Sequence, residues 1–304
     1  MDDQQCLKLV HALDAQAYLL RTWPLTGGVS AQMTALELLR TGYQTQKVIV
    51  REPNEADLRR NPQAAAVQFR LLKALRAAGL ATPDAYYLDE SGEITPLPYL
   101  VMEYIDGQPQ LAPPHVGGFV RQIAAYLAQI HRIETSKLDF LPLRPPAFTT
   151  LPNDDYHGGS ADRLRVALAA VTPLERRNPS VLLHGDFWAG NILWKNNRLA
   201  AVVDWEDATL GDPLTDFAIS RLDTLLIFGV QAMQDFTQQY QSALPIDYTD
   251  LPYWDLFAAL RAAPYLGDWI GVYPALGRPD ISEAALRASH QWFVEQAFAA
   301  LAAK

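Results

Sequence analysis

Apolar positions keep a strand-like rhythm in the first third of the chain and a helical rhythm through most of the rest. Leu7, Val10 and Leu13 share one face and predict a short leading helix over 4–15. Short β-like runs follow, LLRTWPL, QMTALELL and KVIVRE, separated by Gly27-Gly28 and by Thr41-Gly42-Tyr43. A helix is predicted over 63–78, with Val67, Leu71, Leu72 and Leu75 on one face and Gly79 at the C′ position. The runs DAYYLDE and PLPYLVMEYI predict two more strands of a small antiparallel sheet. Residues 106–116, DGQPQLAPPHV, read as a hinge into a helical half with predicted helices at 117–132, 160–171, 213–227, 229–242, 252–269 and 282–302.

The stretch 181–212, VLLHGDFWAGNILWKNNRLAAVVDWEDATLGD, breaks the helical rhythm. Its short apolar runs punctuated by polar residues suit a functional loop between β-hairpin strands. Composition narrows the classes of function. The 304 residues are 49% hydrophobic and 19% charged, which suits one large or two modest folded domains. A formal net charge of -9 with no Lys/Arg block argues against a nucleic-acid binder. The acidic balance is compatible with a cationic substrate without pointing to one. A single cysteine, Cys6, excludes an internal disulfide and fits a reducing compartment. The start MDDQQCLKLVHALDA lacks the basic and long apolar regions of a signal peptide, and no apolar run is long enough to cross a bilayer. A cytoplasmic protein with no membrane partner is expected; oligomeric state is not legible.

The chemistry concentrates in His184-Gly185-Asp186-Phe187-Trp188-Ala189-Gly190-Asn191. Asn191 follows Asp186 by five residues, and Asp204 follows Asn191 by thirteen, at the end of the apolar run LAAVV. Phosphoryl transfer asks for a carboxylate beside the acceptor hydroxyl, plus a carboxylate and an amide oxygen for Mg²⁺. A lone His-Gly-Asp is ordinarily a turn, and an Asp after a strand ordinarily caps or turns. Three such residues at both kinase spacings weigh against coincidence.

HGDFWAGNILW followed by VVDWEDATLGDPLTDFA resembles the signature of the aminoglycoside phosphotransferase family, itself similar to choline, homoserine and fructosamine kinases. The resemblance implies an α+β, protein-kinase-like two-lobed fold: a small antiparallel-sheet lobe with one main helix over 1–105 and a larger, mostly helical lobe over 106–304. It implies an enzyme that moves the γ-phosphate of ATP, or another nucleoside triphosphate, to a hydroxyl of a small molecule. Asp186 is implied as catalytic base, Asn191 and Asp204 as Mg²⁺ ligands, and the acids after Asp212 as braces for the loop. His184 is read as a structural hydrogen-bonding residue, and Trp188, Trp194 and Trp205 as packing residues.

The same resemblance puts the nucleotide in the first half. Gly27, Gly28 and Ser30 would lie over the phosphates, Arg51 would hold them, and Gln68 would stand where a helix Glu usually partners that cation. Arg51 and Gln68 both depart from the usual Lys-Glu pair; Lys47 and Glu52 are alternatives for the network, although strand alternation points them away from Arg51. Backbone groups within Glu103, Tyr104 and Ile105 would meet the adenine. On the acceptor side, Arg261, Tyr265 and Asp268 share an i, i+4, i+7 helical face that suits a polar pocket wall for an aminoglycoside-, amino alcohol- or sugar-like acceptor. Two other readings compete: a catalytically weak or silent kinase-like binding protein, motivated by Arg51 and Gln68, and a metal-dependent phosphohydrolase using His184, Asp186 and Asp204.

Overall fold

A computed structural model of the protein describes residues 1–25, 31–144 and 161–303. The chain opens with helix α1 (Asp3–Leu13), started by a capping box in which the Asp2 side chain and Gln5 exchange hydrogen bonds with each other's backbone N–H groups. Strands β1 (Tyr18–Leu25), β2 (Ala31–Arg40) and β3 (Gln44–Pro53) pair antiparallel in sequence order. Between β2 and β3 the tight turn places Gly42 at φ +87° and Tyr43 at φ +61°. After the short helix α2 (Glu55–Arg60) comes α3 (Ala64–Ala77), which ends with Gly79 at φ +83°, the left-handed C′ position that its glycine predicted. Strands β4 (Ala85–Asp89) and β5 (Tyr99–Glu103) complete a five-stranded antiparallel sheet in the order β1-β2-β3-β5-β4. Leu36, Leu38, Val48, Val50 and Val101 project from its inner face and are fully buried against Leu9 and Val10 of α1.

The remaining elements are α4 (Val116–Ile130), α5 (Ala161–Ala169), β6 (Val181–Leu183), β7 (Ile192–Lys195), β8 (Arg198–Val202), β9 (Thr209–Gly211), α6 (Leu214–Phe228), α7 (Val230–Ala243), α8 (Leu251–Ala262) and α9 (Glu283–Ala302). β6 pairs antiparallel with β9, and β7 with β8 forms a second two-stranded sheet. The β7–β8 connection is Asn196-Asn197, both at positive φ, the conformation a two-residue hairpin demands and Asn tolerates. Helix α6 is buried nearly all round, which its run of Phe217, Ala218, Ile219, Leu222, Leu225, Leu226 and Ile227 explains.

Packing divides the chain into two compact units, Met1–Gly107 with Ala200–Glu206, and Gln108–Leu199 with Asp207–Lys304. The anticipated division at 105/106 counts 200–206 with the helical half. These residues instead pack with the first unit, where the Val202 N–H donates to the Ala81 carbonyl at 2.8 Å. A second departure concerns the helix predicted over 252–269. It stops at Ala262 and continues as separate 3₁₀ turns at Ala263–Tyr265 and Asp268–Gly271. Pro264 has no N–H to continue the α-helical ladder, so the helix cannot pass through it. Among the described residues no helix is long and apolar enough to cross a membrane.

The sheet core sets the stability of the first unit. Leu38→Ala leaves a cavity in the buried core that Leu38 shares with Leu9, Val10 and Leu36 and is expected to cost about 3 kcal/mol, read as a lower denaturation midpoint in urea.

Candidate active site

The loop after β6 turns sharply at Gly185, whose φ of +87° lies in the left-handed region. A Cβ there would stand 2.5 Å from the Asp207 carbonyl oxygen, so the position admits only glycine without rearrangement. The turn is held from below by Asp216 in the first turn of α6. Its carboxylate accepts the N–H groups of His184 at 2.6 Å and Gly185 at 3.1 Å. Asp216 is buried with His131, whose Nε2 stands 3.5 Å from Asp216 Oδ2 and whose Nδ1 lies 2.5 Å from the Tyr240 hydroxyl. Burial works to raise the Asp216 pKa, but the His131 side chain, His184 and the N–H that His184 donates outweigh it and hold the carboxyl below its ordinary value. Ser220, one turn further along α6, donates to the Phe187 carbonyl at 2.7 Å. Asp212 caps the helix start through the Leu214 N–H and also accepts from Asn178. Asp216 therefore braces the loop, while Asp212 holds the start of α6.

His184 is fully buried, and its Nδ1 accepts the Asp186 N–H at 3.3 Å, in keeping with a structural role. Asp186 itself is partly exposed at the tip of the loop. Asn191 donates its side-chain amide to both the Asp186 carbonyl, at 2.9 Å, and Asp186 Oδ2, at 3.1 Å. The other oxygen, Oδ1, is 3.5 Å from Nη2 of Arg261 on α8. Asp223, two turns after Asp216 on the same face of α6, lies close enough to feel both charges. Burial and the Asp186 carboxylate push the Asp223 pKa up to about 7, against the pull of Arg261. Burial also raises the Tyr273 hydroxyl, and Asp223 adds to that rise. Asp186, Asn191, Arg261, Asp223 and Tyr273 thus form one polar group within the helical unit.

Within the sheet unit, Asp204 is exposed and holds φ +66°, a left-handed conformation uncommon for a side-chain-bearing residue and tolerated by Asp. Arg51 is buried and forms a very short ion pair with Glu206, two residues after Asp204. Glu206 therefore supplies the carboxylate that the helix position lacks. Gln68 is buried, and its Oε1 has no hydrogen-bond partner among the described residues, so it does not anchor Arg51 through that atom. Glu52 faces the Met1 ammonium at 3.4 Å, and the Lys47 ammonium lies over the Tyr104 ring, so these two alternatives are committed elsewhere. Of the adenine-edge amides, Glu103 donates to the Asp84 carbonyl and Tyr104 to the Lys47 carbonyl. Gly27, Gly28 and Ser30 lie outside the described residues.

The residues present fit a magnesium ion in their donor chemistry. Asn191 spends its amide nitrogen on Asp186, so its carbonyl oxygen is the atom of the kind magnesium takes, and in the first unit Asp204 carries an exposed side chain of the same oxygen chemistry. Among the described residues no group of three or more His, Cys, Asp or Glu is placed to hold a metal ion.

The polar helical face expected of Arg261, Tyr265 and Asp268 does not form, because the helix ends between the first and second of them. Arg261 alone among the three is seen against Asp186; Tyr265 is 46% exposed and stacks with Trp269. Trp194 packs on Phe119 with ring centroids 4.4 Å apart, and Trp205 is buried with its indole N–H on the Val202 carbonyl, as packing residues would be. Glu206, Asp223 and His131 are among the participants that were not singled out from the sequence. Glu206 had a signal in the acidic WED run, and Asp223 had one as a lone acid seven residues after Asp216 on an apolar helix. His131 had none, being one histidine at the end of an amphipathic helix.

The sequence model of the phosphotransferase enzyme family, APH, matches residues 8–257. The chain belongs to this family. The enzyme class that goes with membership is that of a small-molecule kinase with an alcohol group as acceptor. Viomycin phosphotransferase of Streptomyces vinaceus is 29% identical over 194 residues, 58% of this chain and 63% of its own length. Acyl-CoA dehydrogenase family member 10 of Mus musculus is 24% identical over 246 residues, and member 11 of Rattus norvegicus 24% over 302. These matches take in 74% and 85% of the present chain but only 22% and 38% of the two dehydrogenase-family proteins. Among solved structures, a spectinomycin phosphotransferase in complex with ADP and spectinomycin aligns over 99% of this chain and 98% of its own, with a TM-score of 0.61 at 15% identity. An aminoglycoside phosphotransferase homologue from Ralstonia eutropha covers 97% of this chain and 98% of its own, with a TM-score of 0.60 at 16% identity. The phosphotransferase thus has the α+β kinase-like fold of these proteins.

Two variants of the phosphotransferase test the electrostatics of the loop. Asp216→Ala leaves the His184 and Gly185 N–H groups and His131 buried without their acceptor, and is expected to cost about 3 kcal/mol or more of stability in urea unfolding. Asp223 keeps its proton up to about pH 7 when folded, but only to about pH 4 when unfolded. The folded state then binds more protons across that window, so this carboxyl's contribution to stability falls as pH rises. Asp223→Asn is expected to gain about 1–3 kcal/mol at pH 8 and nothing at pH 4, read by thermal melts at the two pH values.

Proposed function

We propose that this phosphotransferase moves the γ-phosphoryl group of ATP, or another nucleoside triphosphate, to a hydroxyl of a small aminoglycoside-, amino alcohol- or sugar-like acceptor, with Asp186 as the base. The observation that carries the reading is the Asp186–Asn191 pair at the tip of a loop braced by Asp216. An acceptor hydroxyl within hydrogen-bond reach of Asp186 loses its proton to that carboxylate as its oxygen bonds to the γ-phosphorus and the bond to the β,γ-bridging oxygen breaks. Asn191 fixes the carboxylate's orientation, and Arg261 limits its rotation from the other side. Asn191 and Asp204 would hold Mg²⁺, which when bound neutralises charge on the phosphate oxygens.

In the first unit Arg51 would bind phosphate oxygens, with Glu206 orienting the guanidinium. Gln68 contributes a buried acceptor nearby in the fold of that unit, and Gly27, Gly28 and Ser30 would cover the phosphates. With the Glu103 and Tyr104 amides taken, the Ile105 N–H is the amide of this segment assigned to the adenine. Nucleotide binding is assigned to residues 1–105 with the 200–206 segment, and the acceptor and the catalytic loop to the rest. ADP and GDP in the solved relatives support a nucleotide as donor. The lone buried thiol of Cys6 supports a cytoplasmic location.

A silent binding protein would bind nucleotide without turnover, and the Arg51–Glu206 pair weighs against it by restoring a charge-balanced phosphate ligand. ATP consumption measured with aminoglycosides, amino alcohols and ketoamines separates the two. Asp186→Ala is expected to lower kcat by roughly 10²–10⁴-fold while Mg-ATP affinity stays near the parent value, measured by steady-state kinetics and calorimetry. A fully active Asp186→Ala removes Asp186 from this role.

A further inference from the structure

We infer that the acceptor of this phosphotransferase carries an anionic oxygen group, a carboxylate or a phosphate, close to the hydroxyl that is phosphorylated, and that Arg261 binds it. The inference rests on Asp186 being the base. A hydroxyl that hands its proton to Asp186 must lie about 2.6–3.2 Å from one of its oxygens. Arg261 Nη2 stands 3.5 Å from Oδ1 of that carboxylate, so substituents on the carbon next to the hydroxyl come within reach of the guanidinium. The Arg261 side chain is 35% exposed, as is a similar share of Asp186, 39%, so both can be met from solvent.

The surrounding charges favour the same class. Arg144, a second guanidinium, lies close enough to Arg261 for the two charges to repel. Asp186 keeps its charge beside them, and Asp216 and Asp207 act on Arg144, so the selection comes from the one guanidinium next to the reacting hydroxyl and not from net charge. Asp223 keeps much of its proton at neutral pH, because burial and Asp186 disfavour its charge. An ammonium on the neighbouring carbon would therefore meet a guanidinium at close range, whereas a carboxylate or phosphate would gain paired N–H donors in the fork geometry that arginine offers. Arg261 is fixed on the last turn of α8, immediately before the Pro264 break, so its guanidinium is presented from a rigid element and not from a loop.

The test compares acceptors that differ in charge beside the hydroxyl: glycerate for a carboxylate, glucose 6-phosphate for a phosphate, ethanolamine and kanamycin for ammonium groups. Binding is measured by calorimetry in the presence of Mg-ADP, and turnover by ATP consumption. An anionic acceptor is expected to bind and turn over, with glycerate against glucose 6-phosphate deciding which anion is recognised. Arg261→Gln is expected to raise the KM for that acceptor by about thirty-fold or more, with Arg261→Lys recovering part of the loss and the melting temperature unchanged. A role confined to holding Asp186 would lower kcat in Arg261→Gln with acceptor KM unmoved, and that result overturns the inference. So does binding or turnover of ethanolamine or kanamycin in preference to both anions. If Mg-ATP binds and none of the four acceptors does, this inference falls while the phosphotransferase reading stands; if Mg-ATP does not bind, both fall.

Discussion

The loop that bears Asp186 depends on one buried carboxylate. Asp216 takes two consecutive amide hydrogens from His184 and Gly185, and the left-handed turn at Gly185 is what aims both of them at it. A carboxylate buried in this way is costly unless its lone pairs are used. Here His131 and the two amides use them, and Tyr240 in turn holds His131. The consequence for chemistry is positional. With residues 184 and 185 fixed from beneath, Asp186 is projected outward at the loop tip, where Asn191 grips one of its oxygens. The same helix that supplies Asp216 also supplies Ser220 to the Phe187 carbonyl, so α6 determines the loop on both sides of Asp186.

Charge is handled differently in the two units. In the sheet unit the buried Arg51 is balanced by Glu206, and the helix position that would conventionally carry the acid holds Gln68 with an unused oxygen. The ion pair is thus built from the strand and the segment after Asp204, which ties Arg51 to the stretch that bears Asp204. In the helical unit the groups beside Asp186 are mixed: one acid with a raised pKa, one arginine and one buried tyrosine. The net charge of -9 does not foretell that mixture. Overall charge therefore says little about what the acceptor looks like, because recognition is decided by the few charges within several ångströms of the reacting hydroxyl.

Periodicity made most of the elements legible. The β-like runs behind β2, β3 and β5 and the Gly79 stop after α3 depend on local backbone preferences, and the structure has strands and a helix end there. The exception, the overextended helix through 252–269, arose because apolar spacing continued past Pro264 while the hydrogen-bond ladder could not. Site residues divided along similar lines. Asp186, Asn191 and Asp204 were readable because their spacing is set within one continuous stretch. Glu206 as the partner of Arg51, 155 residues away, was not, since nothing local links the two positions.

By itself the sequence determined the family, most of the strands and helices, and the identity of the loop that bears Asp186 and Asn191, because each follows from patterns among residues near one another in the chain. Tertiary structure alone decided which acid balances Arg51, that His131 secures Asp216, and that Arg261 rather than Tyr265 or Asp268 reaches Asp186. The reason is physical: ion pairs and buried hydrogen bonds are set by distance in space, and chain folding brings together charges whose separation in sequence carries no trace of the meeting.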